Sequence, residues 1–446
     1  MKLKLPRFSR CLIALMILSV LMVSDAFAVT LDECIAATLK NNPDVRAATE
    51  RVQVARAAIK EAQSAYYPML TASSTYARTD NPAQAFMMKL NQRNASLMSD
   101  FNNPPDTDNF ALSLGVKYCL YDFGRRGLNN EMAQGGAEVS RLVLRGLQND
   151  LIHQVTRGYY TVLQAGAFVT VQEESVKTLE ESLRVANERV RAGSAVKTDV
   201  LNLEVQLAQT EENLIRARNS VKLSLAALNT AIGTNLVASA STAVMAEPQV
   251  IKPPETEDLS VILNRPELLA ARKVVDVQHA ALQKARRQYM PTVNAFGSMD
   301  WNSDVSTDYE QSYLVGVTAE AELFGGFRRG AVILGAGAQQ RAAEADAEKT
   351  ANSLRLDLTS ASIQAGEAWE RLTVVRKSIE NAREALRITQ QRYQQGAADL
   401  PELLTAQVGL TGTRTRNVAA LYDYLTAISN LDRARGQLTD RYLHDK

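Results

Sequence analysis

Leu120-Tyr121-Asp122-Phe123-Gly124-Arg125-Arg126 returns 203 residues later as Leu323-Phe324-Gly325-Gly326-Phe327-Arg328-Arg329. At the same offset Gly193 falls on Gly396 and Gly233 on Gly436, and no gap is needed anywhere between. A period of 203 residues is too long for a solenoid, so the chain holds two copies of one structural unit.

Upstream of each copy of the motif the residues alternate. Phe110, Leu112, Leu114, Val116, Tyr118 and Leu120 are apolar, with small or polar residues between them. In the second copy Tyr313, Val315, Val317, Ala319, Ala321 and Leu323 share one face, and Thr318, Glu320 and Glu322 lie on the other. Their expected partners are Leu70, Ala72, Ser74 and Tyr76 in the first copy and Val293, Ala295, Gly297, Met299 and Trp301 in the second. Each segment has about the 9–11 residues that a tilted strand needs to cross a bilayer. The connector from Asp80 to Asn109, rich in Asn, Pro and Asp, reads as an outer loop, as does the shorter one from Asn302 to Gln311. A helix precedes each hairpin: Asn41-Asn42-Pro43-Asp44 opens one that ends at Tyr66-Tyr67-Pro68, and Asn264-Arg265-Pro266-Glu267 opens one that ends at Tyr289-Met290-Pro291. These openings are 223 residues apart, so the first copy carries 20 more residues between its post-proline strand and its Leu120 motif.

Downstream of the motif the period becomes helical. Leu354, Leu358, Ala361, Ala365, Ala368, Leu372, Val375, Ile379, Ala382, Leu386, Thr389 and Tyr393 follow alternating steps of four and three, and the first copy repeats that register from Leu151 to Val190. A heptad seam of this kind predicts coiled-coil packing, in helices about 100 Å long at ~1.5 Å per residue. Its many Ala, Gly and Thr residues suit close packing of several helices. The pattern stops at Gly193 and Gly396 and then resumes, so each copy ends in a helical hairpin with a glycine at its tip. From Thr234 to Ser260 periodicity is lost and three prolines appear, which marks the link between copies. Gln437 to Lys446 reads as a short polar tail.

The N-terminus carries Lys2, Lys4, Arg7 and Arg10, then an apolar run from Cys11 to Val23 and Ala26-Phe27-Ala28. This is the pattern of a cleaved secretory signal peptide, the run being short of the ~20 residues of a spanning helix. Removing residues 1 to 28 takes four Lys/Arg and one acid from totals of 50 and 49 and leaves a formal balance of −2, which is no footprint of nucleic-acid binding. The remaining cysteines, Cys34 and Cys119, read as two lone small residues. No later stretch has 18 uninterrupted apolar residues, so a membrane location requires a β-barrel. Two hairpins give four strands, fewer than the eight of the smallest barrels, so assembly must supply the rest.

His153, His279 and His444 show no metal spacing, and His153, beside the seam, reads as a surface or packing residue. Gly325, Gly326 and Gly330 lack the lysine-hydroxyl ending of a phosphate loop and read as a strand-to-helix turn. No nucleophile, base or cofactor set stands out, and no enzyme is expected.

With its duplicated order of helix, two strands, long helix and returning helix, the chain resembles the TolC-like outer membrane efflux proteins. The specific residues are Asn42-Pro43-Asp44 and Arg265-Pro266-Glu267, the Tyr67-Pro68 and Met290-Pro291 junctions and the Leu120 motif. The resemblance implies a mainly α fold with transmembrane β structure: a homotrimer with a 12-stranded β-barrel, four strands per chain, that continues into a long periplasmic α-helical coiled-coil barrel. The expected division is a signal peptide at 1–28, a first repeat at 29–247 and a second at 248–446. The hairpins fall at about 69–121 and 292–323, and the helix hairpins at about 126–233 and 329–436. The implied role is the passive exit duct of a tripartite efflux or secretion system in the outer membrane, with its helices in the periplasm. Its partners would be a periplasmic adaptor (membrane fusion) protein and an inner-membrane RND or ABC-type pump, besides outer membrane lipid. No cofactor or metal is implied.

The tips would dock the adaptor through Gly193, Ser194, Gly396 and Ala397. By position relative to the tip glycines, Asp199 and Tyr393 match the family's periplasmic gate, and Glu402 sits where an acidic ring constricts the pore. Ala398 stands where the best-known member has an arginine and Thr405 where it has a second acid. Tyr393 is equally the last residue of the seam. Two other readings stay open on the residues: a periplasmic coiled-coil scaffold, and a surface-exposed adhesin or receptor barrel that uses the long outer loop.

Overall fold

The structure, a computed structural model, describes residues 29–96, 100, 102–234, 252 and 258–443. The expected signal peptide lies outside them, and so does most of the proline-bearing link. In order, the elements are α1 (Leu31–Asn41), α2 (Pro43–Ser64), β1 (Met69–Thr79), α3 (Pro82–Asn91), β2 (Thr107–Tyr121), α4 (Arg125–Arg191) and α5 (Lys197–Ile232). A 3-10 turn (Leu259–Asn264) then leads to α6 (Pro266–Arg286), β3 (Thr292–Ser303), β4 (Glu310–Glu320), α7 (Arg328–Gln394), α8 (Leu400–Arg435) and α9 (Leu438–Leu443). The ungapped duplication appears as equal lengths: α4 and α7 have 67 residues each, and α5 and α8 have 36 each. The chain divides into two compact units, one of residues 47–146 and 260–355, the other of 1–46, 147–259 and 356–446.

The first unit holds the sheet. Its order is β1-β2-β3-β4, antiparallel throughout, so β1 and β4 are its edges. The register puts Leu112, Leu114 and Val116 opposite Trp301, Met299 and Gly297, and opposite Ser74, Ala72 and Leu70. Because side chains alternate between faces, this collects the apolar residues on one side. The other side carries Thr71, Ser73, Ser113, Gly115, Ser298 and Asp300, where Ser113 Oγ donates to Asp300 Oδ1 (2.5 Å) and Ser298 Oγ to Asp300 Oδ2 (2.8 Å). An apolar outer face and a polar inner one are the pattern of a transmembrane barrel wall.

Each long helix leaves its hairpin through a sharp corner of two successive left-handed residues. In the first copy these are Phe123 (φ 58°) and Gly124 (φ 79°), and at the aligned positions of the second they are Gly326 (φ 61°) and Phe327 (φ 64°). Glycine adopts this conformation without strain, whereas phenylalanine does so at a cost of roughly 1–2 kcal/mol. In the first copy the Asp122 carboxylate offsets that cost by accepting from Gly124 N (3.1 Å) and Arg126 N (2.8 Å), which caps α4. Gly325 stands at the aligned place, and there Glu322 pairs with Arg328 (2.8 Å) instead. At the start of α6, Arg265 is only 2% exposed and makes a two-pronged contact with Glu267 (2.9 and 2.8 Å). That spacing explains why the Arg-Pro-Glu opening is more than a helix-start signal.

The second unit is a helical coiled coil. Leu358, Ala361, Ala365, Ala368 and Leu372 of the predicted seam are buried, as are Leu151, Val155, Ala165, Leu179 and Ala186 of its first copy. Truncation of one such leucine to alanine costs about 2–5 kcal/mol. A second core gathers Cys34 and Ile35 of α1, Ile152, Val155 and Tyr159 of α4, Leu228 and Ile232 of α5, and Leu438 of α9. Both described cysteines are free, and burial raises the Cys34 thiol to about 11.

Three expectations need correction. The connector after Asp80 contains a helix, α3, because Asn81 caps it by accepting from Ala83 N and Gln84 N while Pro82 presets its first turn. The C-terminal segment is no polar tail: Leu438 and Thr439 are buried, and α9 packs onto the α1 core. The second hairpin ends at Glu320, and Leu323 lies beyond the strand, fully exposed.

Of the two readings of His153, surface or packing residue, the structure shows the second, with the ring half-buried. Its Nδ1 lies 3.0 Å from Ser429 Oγ. Burial, with Arg433 and Arg157 nearby, lowers its imidazole to about 4. The unfolded imidazole titrates near its ordinary value, so between about pH 6.5 and 4 the unfolded chain binds a proton that the folded one does not. Stability therefore falls as pH drops through that window, by on the order of 1–2 kcal/mol once solvent screening of the partly exposed ring is allowed for, and levels off below it. Thermal unfolding followed by circular dichroism should show this slope in the native protein and a flatter one in His153→Gln.

Candidate functional site at the helix tips

Helices α4 and α7 both end in a Schellman motif. Gly193 N donates to Val190 O (3.0 Å) and Ser194 N to Arg189 O (2.9 Å), while Gly396 N donates to Tyr393 O (3.1 Å) and Ala397 N to Arg392 O (2.8 Å). The motif needs a left-handed residue, which Gly193 (φ 73°) and Gly396 (φ 78°) supply without a steric penalty. Gly193, Ser194, Gly396 and Ala397, the four residues expected to meet an adaptor, are all exposed.

Sequence reading missed two arginines here. Arg189 and Arg392 occupy aligned positions, each four residues before its tip glycine. Each guanidinium folds over its own tip: Arg189 Nη2 donates to Ser194 O (3.2 Å) and Arg392 Nη2 to Ala397 O (3.1 Å). Their other arms differ. Arg189 Nη1 donates to Tyr393 O (2.9 Å), with its Cζ 4.7 Å from the centre of the Tyr393 ring, so it joins the first tip to the second. Arg392 Nη1 pairs with Glu402 Oε1 (2.5 Å) within the second tip. The signal was available, since both arginines repeat at the 203-residue offset that located the tips.

The predicted gate residues are placed as follows. Tyr393 is 2% exposed and belongs to a core shared by four helices, with Leu179 and Ala186 of α4, Leu203 of α5, Leu386 of α7 and Leu403 of α8. Its hydroxyl is buried and has no hydrogen-bond partner among the described residues. Burial pushes the phenol up; Asp199 adds to this and Arg189 opposes it. Asp199 lies in the first turn of α5, where a carboxylate meets the positive end of the helix. Glu402 is exposed and held by Arg392, and Thr405 Oγ1 turns back to Pro401 O (2.7 Å). The returning helices are capped unequally. The Asp399 side chain accepts from Glu402 N (3.0 Å), whereas Val196, its aligned counterpart, offers no side-chain cap. Among the described residues no His, Cys, Asp and Glu cluster has metal-ligand geometry.

Because Arg189 braces both tips and Arg392 only its own, the two substitutions should separate. A hydrogen bond from a charged group at a partly exposed site contributes about 1 kcal/mol, roughly fivefold in opening. Amide hydrogen exchange should speed up by about that factor at Ser194 and around Tyr393–Ala397 in Arg189→Ala. In Arg392→Ala the change should be confined to the second tip.

The chain matches the outer membrane efflux protein family over residues 34–234 and 260–437. It is 23% identical over 428 residues to the alkaline protease secretion protein AprF of Pseudomonas aeruginosa, covering 92% of this chain and 85% of that protein. It is 22% identical over 424 residues to the outer membrane efflux protein BepC of Brucella suis, covering 93% and 87%. A crystal structure of CusC superposes with a TM-score of 0.78 at 18% identity, over 91% of each chain, which places this fold with the TolC-like channels. With the strands, the barrel-like faces and the paired tips in place, the chain belongs to the outer membrane efflux protein family and is a non-enzymatic channel of the outer membrane.

Proposed function

We propose that the mature chain assembles as a homotrimer whose twelve strands close a barrel, and that it serves as the passive exit duct of a tripartite efflux or secretion system. The observation that carries this is the four-stranded sheet with one apolar face, one polar face and two open edges. Unpaired strand edges cannot face hydrocarbon, and antiparallel β1 and β4 are suited to pair between copies. Two copies would give eight strands, whose interior side chains fill; three leave a lumen.

On this reading residues 1–28 are a secretory signal peptide, and the repeats run over 29–247 and 248–446. The tips at Gly193, Ser194, Gly396 and Ala397 dock a periplasmic adaptor, which connects the duct to an inner-membrane pump of the RND or ABC type. Asp199, Tyr393 and Glu402 form the periplasmic gate. The tip geometry supports this assignment in one respect: Tyr393 is tied to the neighbouring tip through its carbonyl, so the helices cannot part while that contact holds.

Recovery from membranes only with detergent, followed by single-channel recording in lipid bilayers, tests the duct itself; extraction in plain buffer would sink it. The variant Asp199→Ala with Arg189→Ala, which removes the guanidinium bonded to the Tyr393 carbonyl, should conduct more in the resting state than the native channel. Unchanged conductance would place the gate elsewhere. A photo-crosslinker at Ala195 or Ala398 should capture a periplasmic adaptor in intact cells.

A further inference from the structure

The connector between β1 and β2 does not hang free. Its helix α3 is fastened to the polar face of the sheet, the face that lines the channel in the proposed barrel. Gln92, 7% exposed, donates through Nε2 to Asp108 O (2.7 Å) and Asn109 Oδ1 (2.9 Å), and Asn109 Nδ2 donates to Asn302 Oδ1 (3.0 Å). Asn109 and Ala111 share a face with Ser113 and Gly115 by strand alternation, and Asn302 is the cross-strand partner of Ala111. The ladder of three amides therefore runs across the channel side of β2 and β3, and the lipid side takes no part in it.

The next two residues reach further across the sheet. Arg93 Nη2 donates to Gln311 O (3.0 Å), its Nε lies 3.4 Å from Glu310 Oε2, and Asn94 Nδ2 donates to Asp304 Oδ2 (3.3 Å). Arg93 does so from a left-handed backbone (φ 51°), a position that glycine would occupy without strain. From there the guanidinium bridges to β4. The helix thus spans from β1 to the β3–β4 end of the same sheet. Ala85 is fully buried, while Met87 (56% exposed) and Leu90 (44%) are open to solvent.

We propose that residues Pro82–Asn94 form a size filter at the outer mouth of the channel, anchored on the lumen face by Gln92, Asn109, Asn302 and Arg93 and narrowed by Met87 and Leu90. In a trimer three such helices surround the exit. The filter would restrict large solutes from outside while small cargo passes. It rests on the polar face of the sheet lining the channel, and the test separates the two.

Cys119 lies on that polar face toward the inner end of β2, opposite Asn294, and is a native reporter of passage beyond the mouth. Intact cells producing the full chain are treated with a small membrane-impermeant maleimide and with a polymer-tailed one, and the labelling of Cys119 is timed. In the native protein the small reagent should react readily and the polymer slowly. In Gln92→Ala with Arg93→Ala the polymer should react about tenfold faster, with little change for the small reagent. Met87→Ala with Leu90→Ala keeps the anchors and should also admit the polymer faster, which guards against misfolding of the first variant. Polymer labelling unchanged in both variants would overturn the filter alone. Absence of labelling by either reagent in every variant would overturn the channel-lining face on which it rests.

Discussion

Backbone amides and carbonyls along the outward edges of β1 and β4 pair with no other strand among the described residues, and hydrocarbon offers them no partner. That single constraint sets the rest. In a bilayer it requires further strands to pair both edges, and the strand faces then decide what meets lipid and what meets water. The coiled coil is under no such obligation, because helices satisfy their own backbone. Its leucine-rich seam, with Ala186 and Tyr393, packs four helices of one chain around a common core near the tips. Membrane insertion and helix packing therefore draw on different terms, hydrogen-bond closure in one part and apolar burial in the other.

Duplication made the halves alike, and small departures divide the work between them. The two tips share the Schellman turn, the glycine and the arginine, yet Arg189 crosses to its neighbour while Arg392 stays at home with Glu402. Asp399 caps its helix, and Val196 leaves the aligned helix uncapped. Each difference is a hydrogen bond or two. Since such contacts contribute about 1 kcal/mol each, the tips can differ in rigidity without differing in fold.

The 203-residue repeat made the architecture legible before any coordinates: equal long helices, equal returning helices and the glycine tips all follow from it. Strand faces were legible too, because Phe110 to Leu120 alternates with little interruption. The helix at Pro82 was missed because proline, asparagine and aspartate around it are loop residues, although the Asn81-Pro82 cap is itself a helix start. The burial of Leu438 was missed because its partners lie in α1, some four hundred residues away in sequence and outside any local period. Asp199 and Tyr393 are singled out as gate residues by the family resemblance alone. Arg189, whose bond to the Tyr393 carbonyl needs two hairpins side by side, has no local signature beyond its repetition.

The corner before each long helix has a bearing on how distant chains are compared. Both copies take two left-handed steps, yet glycine fills the second step in one and the first in the other, with phenylalanine in the remaining seat. The two copies share the path of the backbone while its occupants trade places. An alignment that forces the glycines into one column would slide the following helix by one residue, which rotates it by about 100°. Such a slip would turn a buried seam toward solvent in any inferred homologue, so the heptad pattern, and not the glycine, is the safer anchor for numbering this part of the chain.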